Sequence, residues 1–356
     1  MTAIVNHTMN PIASPLHGVR IVEFEGIGPG PMAGRLLVQM GAEVTLLARP
    51  QAGVIGQQVM GGVADPMREG KCVVPLNLKD VAARAQAFDL VAAADVLIEG
   101  QRPGVMERLG LGPAECAARN PRLVYARITG WGQHGPLAQA AGHDLNYVAL
   151  SGLLSVSAHA GERPIVPPTV VGDATGALGL AFGIVCGVLE ARASGRGRVV
   201  DAAIVDIASM LGGIVHWLHA GGNLGGPAPS AFHDSPFYDV YACADGRHIT
   251  VAALEPPFYA QLLARLGLAD IDPADQYDRA TWPALKQRFA ALFASQTRAH
   301  WCALLEGSDA CFAPVLSIDE AAAHPHNRSR GIFRVSADGA VTASAAPRFE
   351  ALPGGG

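Results

Sequence analysis

Short runs of β-branched and aliphatic residues alternate with helical stretches in the first part of the chain. The run GVRIVEF predicts a buried strand, and it is followed in order by the turn GIGPGP, the helical stretch MAGRLLVQMG and a second strand in AEVTLLAR. A strand, a helix and a second strand in this order are typical of a βαβ unit.

The alternation continues towards the middle of the chain. A helical stretch around VAARAQAF precedes two further strand candidates, FDLVAAADVLIEG and RLVYARITGWG, and GRGRVVDAAIVDIASMLGGIVHWLHAG predicts a strand that leads into a long apolar helix. Strands that alternate with helices predict an α/β fold with a parallel, doubly wound sheet. The glycine-interrupted stretch TGALGLAFGIVCGVLEA predicts a buried core helix rather than a membrane span.

The pattern changes after the apolar helix. The segment GGNLGGPAPSAFHDSP is rich in Gly, Pro and Ser and predicts a linker. The next stretch, FYDVYACADGRHITVAALE, predicts a hairpin that turns at Ala244, Asp245 and Gly246. Amphipathic helices follow in PPFYAQLLARLGL and WPALKQRFAALFAS, so a smaller α+β domain is expected from about residue 230 to 320.

Composition narrows the class of protein. A chain of 356 residues suits one large domain and one smaller domain, and 50% apolar with 16% charged residues indicates a well-packed globular protein. The net charge of -5 and the lack of a basic stripe argue against a nucleic-acid partner, although a small anionic ligand needs only a few cations.

The number and spacing of the cysteines and the first residues of the chain give an expectation about the cellular compartment of the protein. The 6 cysteines include no C-x-x-C pair, which favours a reduced, cytoplasmic protein over a disulfide framework or a metal site. The start, MTAIVNHTMNPIASPLHG, lacks the pattern of a signal peptide, so no membrane association is expected.

Several cations are expected beyond the carboxyl ends of the strands, where ligands of such sheets bind. The turn GIGPGP is not G-x-G-x-x-G, and Arg49 ends the second strand where an NAD site would place an acid. Arg49 is either a solvated strand end or a phosphate contact. Lys71, Arg102 and Arg108 lie near other loops, and together with Arg49 they favour a phosphate-rich ligand.

Two groups suited to proton transfer precede apolar segments. His143, followed by Asp144, titrates near neutrality in its free form, and Asp173 stands just before ATGALGLAFG. The alternatives are a satisfied, partly buried histidine and a helix N-cap aspartate. A carboxylate base beside helix-start amides is compatible with enolisation next to a carbonyl, but spacing alone does not select this reaction.

Longer motifs carry a family resemblance. The segments IEGQRPGVMERLGLGP, YARITGWGQHGPLAQAAGHDLNYVALSG, EPPFYAQLL and DACFAPVLSIDEAAAHPHNRSRGIF occur in this order. From about Leu16 to Phe349 the chain resembles the α-methylacyl-CoA racemases of the class III CoA-transferase superfamily. The strings TGWGQHGPLAQAAGHDLNY and HPHNRSRGIF resemble the racemase branch in particular.

The resemblance implies a fold and an assembly. It implies a large Rossmann-like domain over residues 1–210, completed by 328–356, a linker over 211–231, a small α+β domain over 232–320 and a second linker over 321–327. It also implies an interlocked homodimer, with each active site formed by the large domain of one chain and the small domain of the other.

The resemblance also implies a substrate and residue roles. The substrate is a coenzyme A thioester, with no separate cofactor and no metal, and Arg49, Arg102 and Arg108 match family positions near the CoA nucleotide. His143 and Asp173 match the groups on the two faces of the substrate α-carbon, and Glu255 matches a glutamate that pairs with the histidine. The implied reaction racemises 2-methylacyl-CoA through an enolate held by N–H donors near the start of the helix after Asp173.

Two rival functions and three departures accompany this expectation. In a class III CoA-transferase the matching Asp173 is a nucleophile that carries the acyl group as a mixed anhydride. The other rival is a dinucleotide-binding protein built on the first βαβ unit. The chain departs from the racemase pattern at Thr169, where the family usually has Asn, and in the segments HDSPFYDVY and GKCVVPLNLKD.

Overall fold

A computed structural model describes residues 14–50, 65–159, 161–336 and 339–350 of the chain. The expectation about the first residues lies largely outside these ranges. The chain divides into two compact units: Met1–Leu154, Val166–Gly212 and Ala345–Gly356 form the first, and Ser155–Ile165 and Gly213–Ser344 form the second.

The first unit is built on a parallel sheet of 6 strands in the order β3-β2-β1-β4-β5-β6. Each strand pairs with its neighbours in parallel, so the predicted α/β fold with a doubly wound sheet is confirmed. Central strands β4 and β5 are buried along nearly their whole length, as continuous apolar runs in parallel sheets are. The strands are β1 (Arg20–Phe24), β2 (Glu43–Ala48), β3 (Cys72–Pro75), β4 (Val96–Glu99), β5 (Val124–Thr129) and β6 (Val199–Ala203).

Helices connect these strands. The expected long apolar helix after β6 is instead two helices, because Gly212 and Gly213 interrupt it and glycine is unfavourable in a helix interior. The helices of the first unit are α1 (Pro29–Gln39), α2 (Val81–Ala92), α3 (Val105–Arg108), α4 (Pro113–Arg119), α5 (Asp144–Leu150), α6 (Asp173–Ser194) and α7 (Ile204–Leu211).

Helix α6, with 22 residues, is the longest described helix of the first unit. Among the described residues it is the one helix whose length and composition would allow it to cross a membrane. One of its faces lies in the core with Ala177, Leu180 and Ile184, as the sequence predicts for a core helix. The opposite face leaves Phe182 and other apolar side chains exposed, so the helix is buried on one side only.

The second unit has an antiparallel sheet of β7 (Tyr238–Ala242), β8 (His248–Ala252) and β9 (Phe312–Pro314). The hairpin prediction is confirmed: β7 pairs with β8, and Gly246 takes a positive φ of 71° in the turn. Its core is largely aromatic, with Tyr259, Trp282, Phe289 and Phe293 packed behind the sheet. Its helices are α8 (Gly213–Ala220), α9 (Pro256–Leu266), α10 (Trp282–Phe293), α11 (Arg298–Leu305), α12 (Ile318–Ala323) and α13 (Pro325–Arg330).

The second unit includes part of the C-terminal segment, and the domain bounds that the resemblance implies stay a prediction. Residues up to Ser344 lie in the second unit, whereas the expected large domain takes up the chain again at 328. The physical reason is a small hairpin of β10 (Phe333–Val335) and β11 (Val341–Ala343), against which α12 packs. This hairpin holds the segment within the second unit.

Candidate functional site

The start of α6 is fixed by a carboxylate from another helix. Asp144, the first residue of α5, is 7% exposed, and its Oδ1 accepts hydrogen bonds from the backbone N–H groups of Gly172 (2.7 Å) and Asp173 (2.6 Å). A helix N-terminus leaves such donors without partners inside the helix, and a carboxylate there also meets the positive end of the helix dipole. Asp144 therefore caps α6 in place of Asp173.

The Asp173 side chain does not cap α6 in this arrangement. It is the first residue of α6 rather than its N-cap, which is Gly172, and no side chain caps the helix from the N-cap position. Among the described residues, neither oxygen of the Asp173 carboxylate accepts a hydrogen bond or pairs with a cation. The alternative of Asp173 as a helix N-cap is therefore wrong.

The carboxylate of Asp173 lies against the first turn of α1. A Cβ placed on Gly28, whose φ is +73°, would lie 3.0 Å from Asp173 Oδ2, so the site requires glycine there. Helix α1 begins with Pro29, Gly30 and Pro31, and proline has no N–H. Of these three residues only Gly30 has a backbone N–H that can donate a hydrogen bond to a negatively charged group.

Electrostatics favour a protonatable Asp173. Burial, and next the negative charge of Asp144, raise the pKa of Asp173 to about 6, against a smaller lowering by His143. The charge of His143 thus acts on this carboxyl group, as the smallest of the three influences on its pKa. A base whose pKa lies near neutrality is well matched to proton transfer at physiological pH.

His143 itself is the N-cap residue of α5 and is exposed. Its backbone N–H donates to Oδ1 of Asn146 (3.0 Å), which fixes the chain at this point. Tyr147 lies one turn later, packs edge-on against Trp131 with ring centroids 4.7 Å apart, and donates from its hydroxyl to the carbonyl of Gly142. The peptide before His143 is thus held by an aromatic pair.

Glu255, in the second unit, is exposed and precedes two prolines at the start of α9. Its carbonyl accepts from the amides of Phe258 and Tyr259 (both 3.0 Å), but its side chain caps nothing. Pro257 cannot donate to a capping side chain. In the sequence EPP the Glu255 carboxylate therefore does not cap α9.

Lys71 occupies a different environment from the one expected for a phosphate contact. Its side chain is 0% exposed, and its Nζ donates to both carboxylate oxygens of Glu23 (2.8 and 2.6 Å) and to the carbonyl of Pro31 (2.9 Å). A Cβ on Gly34 would lie 1.8 Å from Glu23 Oε2, so the absence of a side chain there makes room for the pair. A phosphate contact by Lys71 would require this buried pair to break.

The three predicted arginines are exposed and follow strand ends. Arg49 comes directly after β2, and 66% of its side chain is exposed. Its backbone N–H donates a hydrogen bond to Glu25 Oε2 (2.9 Å). Arg102 follows β4, and Arg108 ends α3. Arg127 in β5 donates hydrogen bonds from its two terminal guanidinium nitrogens to Oε1 and Oε2 of Glu107 (2.9 and 3.2 Å). These bonds attach α3 to the sheet.

Three amides at the start of α6 bond within the protein. Those of Gly172 and Asp173 donate to Asp144, and that of Ala174 donates to the carbonyl of Thr169 (3.0 Å). The holding of an enolate by N–H donors near this helix start stays a prediction.

Thr169, the departure from the usual Asn, has a strained backbone. Its φ of 61° lies in the left-handed region, which is unfavourable for a β-branched residue and which Asn tolerates better. The carbonyl of Thr169 accepts the amide of Ala174 in the first turn of α6. The strain is therefore located in the segment that carries Asp173.

The family model for CoA-transferase family III matches residues 16–355. The chain belongs to this family. It is 39% identical to the α-methylacyl-CoA racemase of Mus musculus over 95% of this chain and 87% of that protein, which confirms the resemblance to the racemases. It is 30% identical to the acetyl-CoA:oxalate CoA-transferase of Acetobacter aceti, over 90% of this chain and 85% of that protein.

Solved structures agree with the fold. The crystal structure of Rv3272 from Mycobacterium tuberculosis has a TM-score of 0.78 and 28% identity to this chain, and the match covers 95% of this chain and 94% of that one. The family thus includes this α/β architecture.

Sequence reasoning missed Asp144, the residue that organises the site. In the string GHD the histidine carries the predicted chemistry, and no role is predicted for the aspartate that follows it. Its actual contacts lie 28 and 29 positions away in the chain. A pair of acidic residues ahead of two consecutive helices was the available signal.

We predict that Asp173→Asn stabilises the protein near pH 7, because the folded state then no longer buries that charge. The pKa of Asp173 in the folded protein is about 6, above its ordinary value of 3.8. The contribution of this group to the free energy of unfolding of the wild type is therefore greatest at low pH and is lost as the pH rises through 6. We expect a gain of about 1–3 kcal/mol in the free energy of unfolding near pH 7, measured by urea denaturation.

The pH dependence provides the control. Near pH 4 the gain should be largely gone, since the wild-type carboxyl group is already protonated in the folded state. Asp89→Asn, at a side chain that is 71% exposed, should give no comparable gain at either pH. Equal stability of wild type and Asp173→Asn at neutral pH would contradict the burial of an uncompensated charge.

Proposed function

We propose that the chain racemises 2-methylacyl-CoA thioesters by moving the α-proton between faces. The observation that carries this proposal is the Asp173 carboxylate: half-buried, without a hydrogen-bond partner among the described residues, with a pKa raised to about 6, and within electrostatic reach of His143. The similarity to α-methylacyl-CoA racemases supports the substrate class. The protein is in this view an enzyme, an isomerase.

The mechanism uses two groups of opposite protonation state. The Asp173 carboxylate takes the α-proton, and the electrons of the broken C–H bond move into the thioester carbonyl to give a planar enolate. Protonated His143 then donates a proton to the opposite face of the same carbon. In the reverse direction neutral His143 takes the proton and protonated Asp173 returns one. The two pKa values need to lie near ambient pH for both directions to run.

Glu255 is proposed as the carboxylate that orients the His143 imidazole. A carboxylate partner favours the charged form of an imidazole and fixes its ring. The support within the second unit is that the two prolines after Glu255 leave its side chain free of a capping role.

The transferase alternative uses the same aspartate differently. There the Asp173 carboxylate attacks the thioester carbonyl, the C–S bond breaks, and a mixed anhydride and a CoA thiolate form. A carboxylate without hydrogen bonds is suited to either reaction, and the family contains transferases. A histidine whose charge acts on Asp173 favours the racemase, since acyl transfer has no need of a second proton-transfer group.

The decisive experiment follows deuterium from D₂O into the α-carbon of a single enantiomer of a 2-methylacyl-CoA. We expect wild type to incorporate deuterium and lose optical purity, and Asp173→Asn to lower the rate by about 10²–10⁴-fold. Asp206→Asn, at an exposed position in α7, serves as the matched control and should keep the wild-type rate.

The histidine has its own test in the same assay. His143→Ala should slow exchange from one enantiomer more than from the other, because each base works on one face. Undiminished exchange from both enantiomers would remove His143 from the scheme. Acyl transfer to a free acid without α-exchange would establish the transferase instead.

Arg49, Arg102 and Arg108 are proposed to contact the phosphates of coenzyme A, which is part of the substrate. Phosphate is gripped well by exposed guanidinium groups beyond strand ends. Replacing Arg49 with Ala should raise KM for the thioester with little change in kcat, because such contacts bind ground state and transition state alike. Arg196→Ala removes the same charge just before β6, at the opposite edge of the sheet, and should leave KM unchanged.

A homodimer is proposed for the assembly. Exposed apolar side chains are concentrated on successive helices of this chain, and monomeric proteins seldom leave such sets uncovered. They include Leu178 (57%), Phe182 (66%) and Leu189 (62%) on α6, with Met210 (63%) on α7. A cytoplasmic location stays a prediction from cysteine usage.

Sedimentation equilibrium should give twice the chain mass of 36.9 kDa. Phe182→Arg should weaken the association because it places a charge within the apolar set. Val81→Arg, at a residue 74% exposed on α2, is the matched control and should not change the mass. A monomer at micromolar concentration would contradict the dimer.

A further inference from the structure

The peptides that precede Glu255 are held by an unusual set of donors in the second unit. The side-chain Nε2 of Gln276 donates to the carbonyls of both Ala253 and Leu254, at 2.9 Å each. The hydroxyl of Tyr277 donates to the same Leu254 carbonyl. We call Gln276 and Tyr277 the 276–277 clamp.

From this geometry we infer that the 276–277 clamp positions the Glu255 carboxylate for catalysis, an inference that rests on the proposed function. The Leu254 carbonyl belongs to the peptide that joins Leu254 to Glu255, so fixing it fixes the backbone nitrogen and Cα of Glu255. On the other side Pro256 restricts Glu255 to extended backbone, and its φ of -77° and ψ of 139° agree. Glu255 is thus constrained from both directions.

Gln276 is itself rigidly placed. It is 2% exposed, and its own carbonyl accepts the indole N–H of Trp282 at 2.8 Å, in the aromatic core. It directly follows a one-turn helix, Pro273–Asp275, that is capped by Asp272. The clamp therefore transmits the rigidity of the core of the second unit to the peptide before Glu255.

The clamp also carries a cost that packing alone does not explain. The Oε1 atom of Gln276 is buried without a hydrogen-bond partner among the described residues. An unsatisfied buried acceptor is unfavourable, so packing of the core gives no reason for a glutamine at this position. What glutamine provides is two N–H donors on one neutral atom, both directed at the carbonyls that precede Glu255.

Tyr277 connects the clamp to the carboxylate more directly. Burial, and next the negative charge of Glu255, raise the pKa of the Tyr277 phenol. Its ring packs edge-on against Phe237, with centroids 5.6 Å apart. Gln276 and Tyr277 are positioning residues: their effect on the reaction passes through Glu255.

The test is a double-mutant cycle of Gln276→Met with Glu255→Gln, read as the rate of α-deuterium incorporation from each enantiomer. Methionine keeps the length of glutamine and removes both donors. We expect Gln276→Met to slow exchange about tenfold, mainly for the enantiomer that depends on His143, with KM little changed. In the Glu255→Gln background the same substitution should have almost no further effect, because coupled residues are non-additive.

Three controls separate positioning from folding. Gln261→Met, at another glutamine with a buried unpartnered Oε1, on α9, should leave the rate unchanged. Tyr277→Phe removes one donor at a side chain that is 52% exposed, so folding is preserved, and it should slow the same enantiomer to a smaller extent. Hydrogen exchange of the 253–259 backbone should be faster in Gln276→Met than in wild type.

The outcomes are distinguishable. A loss of rate that is equal in both backgrounds, or equal for both enantiomers, would show a merely structural role and overturn the clamp. Unchanged rates in Gln276→Met would overturn it as well. Wild type that shows no α-exchange at all would overturn the proposed function, and the positioning role with it.

Discussion

The carboxylate of Asp144 on the first amides of α6 is the interaction on which the candidate site depends. It joins the start of one helix to the start of the next and so fixes His143 and Asp173, which stand at those two starts. It also replaces Asp173 as the cap, which leaves that side chain without a hydrogen-bond partner in the part of the chain that the structure describes. Burial, and next the same negative charge, raise the pKa of Asp173. Asp144 thus fixes the geometry of the site and adds to the effect of burial on its acidity.

Two further buried charge sets make the strand ends rigid. Glu23 at the end of β1 is 0% exposed and pairs with Lys71, and Glu99 at the end of β4 is likewise 0% exposed and accepts from Arg127 Nε at 2.7 Å. Breaking one partner of such a pair leaves an uncompensated buried charge, which is strongly destabilising. They hold the edge of the sheet from which the loops of the site arise.

Much of the fold could be predicted because its signals are local. The apolar runs that became β1, β2, β4 and β5 are continuous, as buried parallel strands are. Strand β3 was missed because Cys72–Pro75 is short and ends in a proline. The site was harder to predict. His143 and Asp173 were found by chemistry and resemblance, whereas Asp144, Lys71 and Gln276 act through contacts distant in the chain, which no periodicity reveals.

The opening turn of α1 has a consequence for ligand discrimination. In dinucleotide-binding members of this architecture, consecutive backbone amides at that turn cradle a pyrophosphate. Here Pro29 and Pro31 remove two of those amides, and the Asp173 carboxylate occupies the neighbouring space beside Gly28. A nicotinamide or flavin dinucleotide would meet missing donors and a negative charge at the same place. At this turn the parallel sheet therefore lacks the run of consecutive amides with which dinucleotide-binding proteins hold a pyrophosphate.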